Sequence, residues 1–256
     1  MTTRFMTSRN TRLTVAAVFC CAIGVNAASV NLGTAANFGV LGGSTVTSTG
    51  ATVITGDLGV SPGSAITGFP PGIVNGTTHA GDAVAAQAQY DAVIAYNTLL
   101  AFSGATDLTG QDLGGLTLTP GAYNFSTSAQ LTGILILDGQ GLINPGFVIQ
   151  VGTTFTTASD SSIVLKNGAN YDNVFFQVGS SATLGTRTEF WGNIIAFTSD
   201  TLNTGATVNG RVFALNGAVT LDGNTITAVP EPASAALLVS GLTLLLAARR
   251  RAKTVV

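Results

Sequence analysis

From Ser180 to Thr227 the sequence repeats itself every eighteen residues. One copy laid on the next sets Leu184 over Leu202, Thr186 over Thr204, and Phe190 over Val208 and then Ile226; it continues with Gly192 over Gly210, Ile194 over Val212, Ala196 over Ala214 and Phe197 over Leu215. A period near twenty that keeps apolar, threonine and glycine positions in column is the pattern of strands stacked coil on coil, because one coil alone cannot bury its inner face. The phrase Thr49-Gly50-Ala51-Thr52-Val53 returns letter for letter as Thr204-Gly205-Ala206-Thr207-Val208, which ties the first part of the chain to the same stack.

The remaining segments fit more of that stack plus one helix. From Asn31 to Thr67, short β-branched runs such as Thr45-Val46-Thr47 and Thr52-Val53-Ile54 are broken by glycine, and Ser61-Pro62-Gly63 and Phe69-Pro70-Pro71-Gly72 are turn signals. Beyond Gly104, runs such as Ile134-Leu135-Ile136-Leu137 and Phe147-Val148-Ile149-Gln150-Val151 are apolar at consecutive positions, as expected of strands covered on both faces. Between these regions, from about His79 to Phe102, glycine leaves the sequence after Gly81, and Ala85, Ala88, Ala92, Ala95, Leu99 and Phe102 recur at spacings of three and four. That stripe predicts a helix over about 79–102, capped by Thr77 or Thr78 and packed along the wall that holds Ile194–Phe197 and Val212–Leu215.

The two ends read differently. Arg4, Arg9 and Arg12 precede an apolar run, Leu13 to Val25, closed by Ala27 and Ala28, the layout of a secretory signal peptide over residues 1–27. Cys20 and Cys21 both lie inside it, so the domain expected over 28–228 has no thiol and no disulfide. At the other end, 229–256, Val229-Pro230-Glu231-Pro232 leads into an apolar segment from Ala233 to Ala248 and then Arg249-Arg250-Arg251, a membrane segment with a basic stop. This tail resembles the Pro-Glu-Pro C-terminal sorting signal of Gram-negative bacteria. The resemblance implies removal by an exosortase-type transpeptidase, contact with the membrane only through the terminal segments before processing, and a domain secreted or held at the cell surface. Between the two ends stand three basic residues, Lys166, Arg187 and Arg211, against eleven acidic ones, the wrong sign for a nucleic-acid partner.

Phe38-Gly39-Val40-Leu41-Gly42-Gly43-Ser44-Thr45-Val46, Gly56-Asp57-Leu58-Gly59-Val60-Ser61-Pro62-Gly63, Leu118-Thr119-Pro120-Gly121-Ala122-Tyr123 and Val208-Asn209-Gly210-Arg211 closely resemble the microbial ice-binding, or antifreeze, proteins over roughly Ala28 to Thr227. The resemblance implies a mainly β fold: a right-handed β-solenoid of triangular section with one long helix alongside, discontinuous because the N-terminal coil inserts among later ones. It also implies an ice crystal surface as partner, bound by a flat face rich in threonine, serine and alanine, in some members with a Thr-(Ala/Gly)-X-(Thr/Asn) pattern. Thr204-Gly205-Ala206-Thr207 and Thr49-Gly50-Ala51-Thr52 match that pattern fully, whereas Thr157-Ala158-Ser159-Asp160 ends in an acid. Thr225 continues the Thr207 column and Thr186 precedes Thr204 by one period, so the residues expected at ice are Thr49, Thr52, Thr157, Thr186, Thr188, Thr204, Thr207 and Thr225. Alternation with inward Phe190, Val208 and Ile226 places Thr204, Thr207 and Thr225 outward on one exposed face.

Two other classes compete. A polysaccharide-degrading solenoid needs paired carboxylates about 5–9.5 Å apart, yet no two acids are eighteen residues apart, and the only histidine, His79, stands at the expected helix start. Catalytic residues, metal ligands and cofactors are accordingly not assigned. An extracellular adhesin that binds glycans is the third reading, equally compatible with the sorting signal.

Overall fold

The computed structural model describes residues 30–228. Three parallel sheets of nine, seven and eight strands are built so that each circuit of the chain adds one strand to each. Asn193–Ala196, Asp200–Leu202 and Thr207–Asn209 form one circuit, and Val212–Ala214, Val219–Asp222 and Thr225–Thr227 form the next. The columns expected from the repeat are present: Leu184 pairs with Leu202, Phe190 with Val208, Val208 with Ile226, Ile194 with Val212, and Ala196 with Ala214. The glycine column has a steric cause. Gly192 and Gly210 both take positive φ (146° and 136°), and a Cβ on Gly210 would lie 1.9 Å from the carbonyl oxygen of Gly192.

The circuits do not stack in chain order. The first, Phe38–Thr55, lies between the second (Asp57–Asn75) and the last (Val212–Thr227). It therefore joins the last circuit to the second, inserted between two circuits that come later in the chain. Thr78–Ala80 forms one edge of the nine-stranded sheet and Thr106–Asp107 the other. The helix between them carries the chain from one end of the stack to the opposite end. Its eighteen residues reach about 27 Å, and the nine-stranded sheet is about 38 Å across at ~4.8 Å per strand.

That helix, Ala83–Leu100, starts later than the sequence suggests, and neither Thr77 nor Thr78 caps it. Thr78–Ala80 instead pairs with Leu58–Val60 as an edge strand, which satisfies backbone groups that a first helical turn would leave open. His79 thus sits in a strand, its Nδ1 2.8 Å from the Asp82 carboxylate. The other Asp82 oxygen accepts the Ala85 N–H at 2.8 Å and caps the helix. The expected stripe is buried at Ala85, Ala88, Ala92, Ala95 and Leu99, and Gln89 and Tyr96 join it. The alanines bring the helix close to Val148, Phe175, Ile195 and Phe213, which form an outer core distinct from the one inside the coils. Gln89 donates to the carbonyls of Ala214 and Leu215 (3.1 and 2.6 Å), while Gln150 donates to those of Leu99 and Phe102 (2.7 and 3.0 Å) and closes the helix end. Phe147–Val151 and Val174–Val178 are buried at every position because one face meets the inner core and the other meets the helix.

The expected signal peptide (1–27) and sorting tail (229–256) lie outside the described residues. Among the described residues no helix is long and apolar enough to cross a membrane.

Candidate functional site

With the nine-stranded sheet covered by the helix, two faces meet solvent. On the seven-stranded sheet, inward Phe155, Ala182, Val219 and Val46 alternate with an outward row that runs Gln130, Thr156, Thr183, Thr201, Thr220, Thr47, Thr67 across successive strands. Six consecutive threonines at about 4.8 Å per strand make a column about 24 Å long. Two residues earlier on each strand, about 6.6 Å away, runs a second row of small side chains: Ser181, Ser199, Ala218, Thr45 and Ala65. Neither row carries a charge or a side chain longer than threonine, apart from Gln130 at one end. The surface is a grid of hydroxyl and methyl groups on a hydrogen-bonded backbone.

Charges are held at the corner where this sheet turns into the eight-stranded one. The Asp222 carboxylate accepts from Thr49 Oγ1 at 2.9 Å and from Thr204 Oγ1, and these bonds hold its pKa below the usual carboxylate value. Arg187 donates two bonds of 2.7 Å to Asp160 and lowers that carboxyl in the same direction. Beneath the threonine column lies a different acid. Asp200 points inward between Ala182 and Val219, is 1% exposed, and has no hydrogen-bond partner at either oxygen. Burial pushes its pKa well above the usual carboxylate value.

The threonines expected from the sequence do not form one face. Thr52, Thr157 and Thr188 are 0%, 3% and 0% exposed. Their hydroxyls fill the inner corner instead: Thr157 and Thr188 meet at 2.7 Å, Thr157 accepts the Gly185 N–H at 2.8 Å, and Thr52 accepts from Ser48 Oγ at 2.7 Å. Polar groups of the turning backbone need partners there, which is why hydroxyl residues recur inside the corner. Thr49, Thr186 and Thr204 lie on the outside of that corner, beside the flat face. Thr207 pairs with Thr225, and Thr225 with Val53, on the eight-stranded sheet.

The repeated phrase misleads by one residue. Val53, not Thr52, occupies the column of Thr207 and Thr225, and a one-residue offset turns a side chain from one side of a strand to the other. The threonine column also escapes a strict eighteen-residue ruler. Thr183 and Thr201 are eighteen apart, but Ala214 to Val219 holds one residue more than Ala196 to Asp200, so Thr201 pairs with Thr220. Farther down the stack Thr156 and Thr183 are twenty-seven apart. The signal that finds them is the dipeptide in Thr183-Leu184, Thr201-Leu202 and Thr220-Leu221: once the leucines are inward, the threonines are outward.

The eight-stranded sheet exposes a mixed surface. Glu189, Thr207, Thr225, Val53 and Ile73 share one row, and Trp191, Asn209, Thr227, Thr55 and Asn75 share the next.

The family model described as Ice-binding-like matches residues 40–227. An ice-binding protein of Nostoc sp. (strain HG1) is 60% identical over 239 residues, covering 88% of each chain. The crystal structure of an ice binding protein from an Antarctic biological consortium superposes with a TM-score of 0.75 at 49% identity, over 77% of this chain and 90% of the other. That of an ice-binding protein from the Antarctic ascomycete Antarctomyces psychrotrophicus gives 0.76 at 44% identity, over 78% and 98%.

Proposed function

Because this chain belongs to the Ice-binding-like family, we infer that it adsorbs to ice, and that it does so through the seven-stranded sheet. The observation that carries the choice of face is the unbroken column Thr156, Thr183, Thr201, Thr220, Thr47, Thr67 with its companion row of small residues. Each threonine offers a hydroxyl to a surface water and a methyl beside it. The parallel ladders hold these groups on a repeat, so water can order over the face without side chains having to order at the moment of contact. Individual contacts are weak, and adhesion comes from their number and coplanarity. The corner threonines Thr49, Thr186 and Thr204 border the face. Thr207 and Thr225 fall outside it, and buried Thr52, Thr157 and Thr188 support the corner.

The reading makes the protein a non-enzyme whose coils wrap as a right-handed solenoid of triangular section, the hand favoured for parallel crossovers. It also places the domain outside the inner membrane of a Gram-negative cell, after removal of residues 1–27 and processing of 229–256 by an exosortase-type transpeptidase. Fluorescently labelled protein watched on a growing ice crystal tests the function: adsorption with faceting of the crystal is expected, and smooth growth past unbound protein would sink it. Intact mass of the protein from its native host tests the processing, which requires that Cys20-Cys21 and Arg249-Arg250-Arg251 both be missing.

A further inference from the structure

The eight-stranded sheet carries a feature that adsorption through the other face leaves unused. Glu189, Trp191, Thr207, Asn209, Thr225 and Thr227 line a pocket of about 330 Å³. Inward Phe190 fixes Glu189 and Trp191 as outward neighbours on one strand, about 6.6 Å apart. Along the stack, toward the last circuit, the row continues from half-buried Trp191 to Asn209 and Thr227, both shorter, so the indole stands beside a polar floor. Tyr171 packs beside the indole with ring centroids 6.2 Å apart.

The polar groups of this pocket are uncommitted. Asp57, Asp82, Asp91, Asp107, Asp112, Asp138, Asp160, Asp172 and Asp222 each accept at least one hydrogen bond from the protein. Among the described residues Glu189 is the one exposed carboxylate that accepts none, and Asn209, Thr207, Thr225 and Thr227 make no side-chain bond within the protein either. Structural acids are spent on turns, caps and ion pairs, and this one is spent on nothing inside the fold.

We propose that the pocket binds a pyranose ring of a neutral polysaccharide, giving the protein a second ligand on a face different from the one that meets ice. A sugar ring has an apolar C–H face that suits the indole and a rim of hydroxyls that are donors and acceptors at once. Glu189 is acceptor-only, the Asn209 amide both donates and accepts, and the threonine hydroxyls do either. That mixture matches a polyol. A quaternary ammonium would use Trp191 and Glu189 but leave the amide and three hydroxyls without a role. An anionic sugar would meet Glu189 with no cation lining the pocket to offset it. The proposal stands apart from the ice reading, because no residue of the pocket lies in the two rows of the seven-stranded sheet.

Trp191 is the only tryptophan in the chain, so its intrinsic fluorescence reports on this pocket alone. The full chain is titrated with glucose hexamers of three linkages (cello-, laminari- and maltohexaose), with a galacturonate hexamer and with choline. A saturable change of Trp191 emission with at least one neutral hexamer is expected, with a Kd of about 1 mM or tighter. Glu189→Gln and Asn209→Ala, both surface changes that leave the core intact, are each expected to weaken that binding about tenfold while ice adsorption stays as in the parent. No emission change with any neutral hexamer at about 10 mM overturns the proposal. So does an equal response to galacturonate or choline, or full binding by both variants.

Discussion

The two solvent-facing sheets are made by the same coils, with the same strand spacing and the same inward columns, yet only one of them is a lattice. On the seven-stranded sheet six successive strands place threonine in one row. On the eight-stranded sheet the corresponding row runs Ile134, Ser162, Glu189, Thr207, Thr225, Val53, Ile73, beside a row that contains an indole. A regular backbone is therefore common to both, and what separates them is whether the outward side chains keep the period that the backbone offers. The inner face is held in column by packing. The outer face is free of that constraint, so uniformity there is a property the fold does not require.

The sharpest way to break this comparison is to put the same bulk on each sheet. Thr201→Tyr, in the middle of the flat column, is expected to remove most thermal hysteresis and ice shaping while circular dichroism and melting temperature stay close to the parent. Thr225→Tyr, on the mixed sheet, is expected to leave activity intact. Equal loss from both, measured by nanolitre osmometry, would mean that ice contacts the wrong sheet or both sheets. The covered wall gives the next largest effect: Ala92 is fully buried against the nine-stranded sheet, so Ala92→Trp is expected to cost about 1–3 kcal/mol in denaturant unfolding. The activity of the molecules that remain folded should not change.

Asp200 sharpens the comparison from below the flat face. Its folded pKa lies above the unfolded value, so between those two values the folded state holds more protons than the unfolded one. Its contribution to stability is therefore intact below about pH 4 and declines as pH rises toward the folded pKa. Asp200→Val, matching neighbouring Val219 in the same inward column, should remove that decline and add about 1–3 kcal/mol at pH 7. A variant whose urea midpoint follows the parent at every pH would show that the carboxyl finds a partner. The smallest effect is expected from Glu189→Thr, which extends the Thr207 and Thr225 row by one. Stability should move by no more than about 0.5 kcal/mol, and ice activity should not rise, because Val53, Ile73 and Trp191 still interrupt the surface.

Much of the architecture was legible because packing enforces it. Phe190, Val208 and Ile226 had to recur since they share one inner column, and Ala85 to Leu99 had to recur since one helix stripe meets one wall. The threonine column is harder to read because the backbone absorbs an added residue at a corner without disturbing the inner columns, as between Ala214 and Val219. Such a residue shifts the sequence ruler but not the strand register. The copied phrase at Thr49 and Thr204 failed for the same reason, since Gly50 and Gly205 hold equivalent left-handed turns (φ 72° and 73°) but the strands that follow start one residue apart. The helix start was missed because Thr78–Ala80 has a pairing partner, Leu58–Val60, that only the stacked structure brings near.

The order in which the circuits stack has a consequence for the chain as it is made. Phe38–Asn75 is made before the other coils of the stack, yet the strands that its first circuit must join, Val212–Thr227, come last. About 150 residues separate them, so the early pair of coils cannot complete its pairing until nearly the whole domain has emerged. Until then one side of each of the first circuit's three strands is unpaired. The chain thus begins with the piece that can be finished only when everything else is in place, and the stack closes at the junction of its oldest and newest coils.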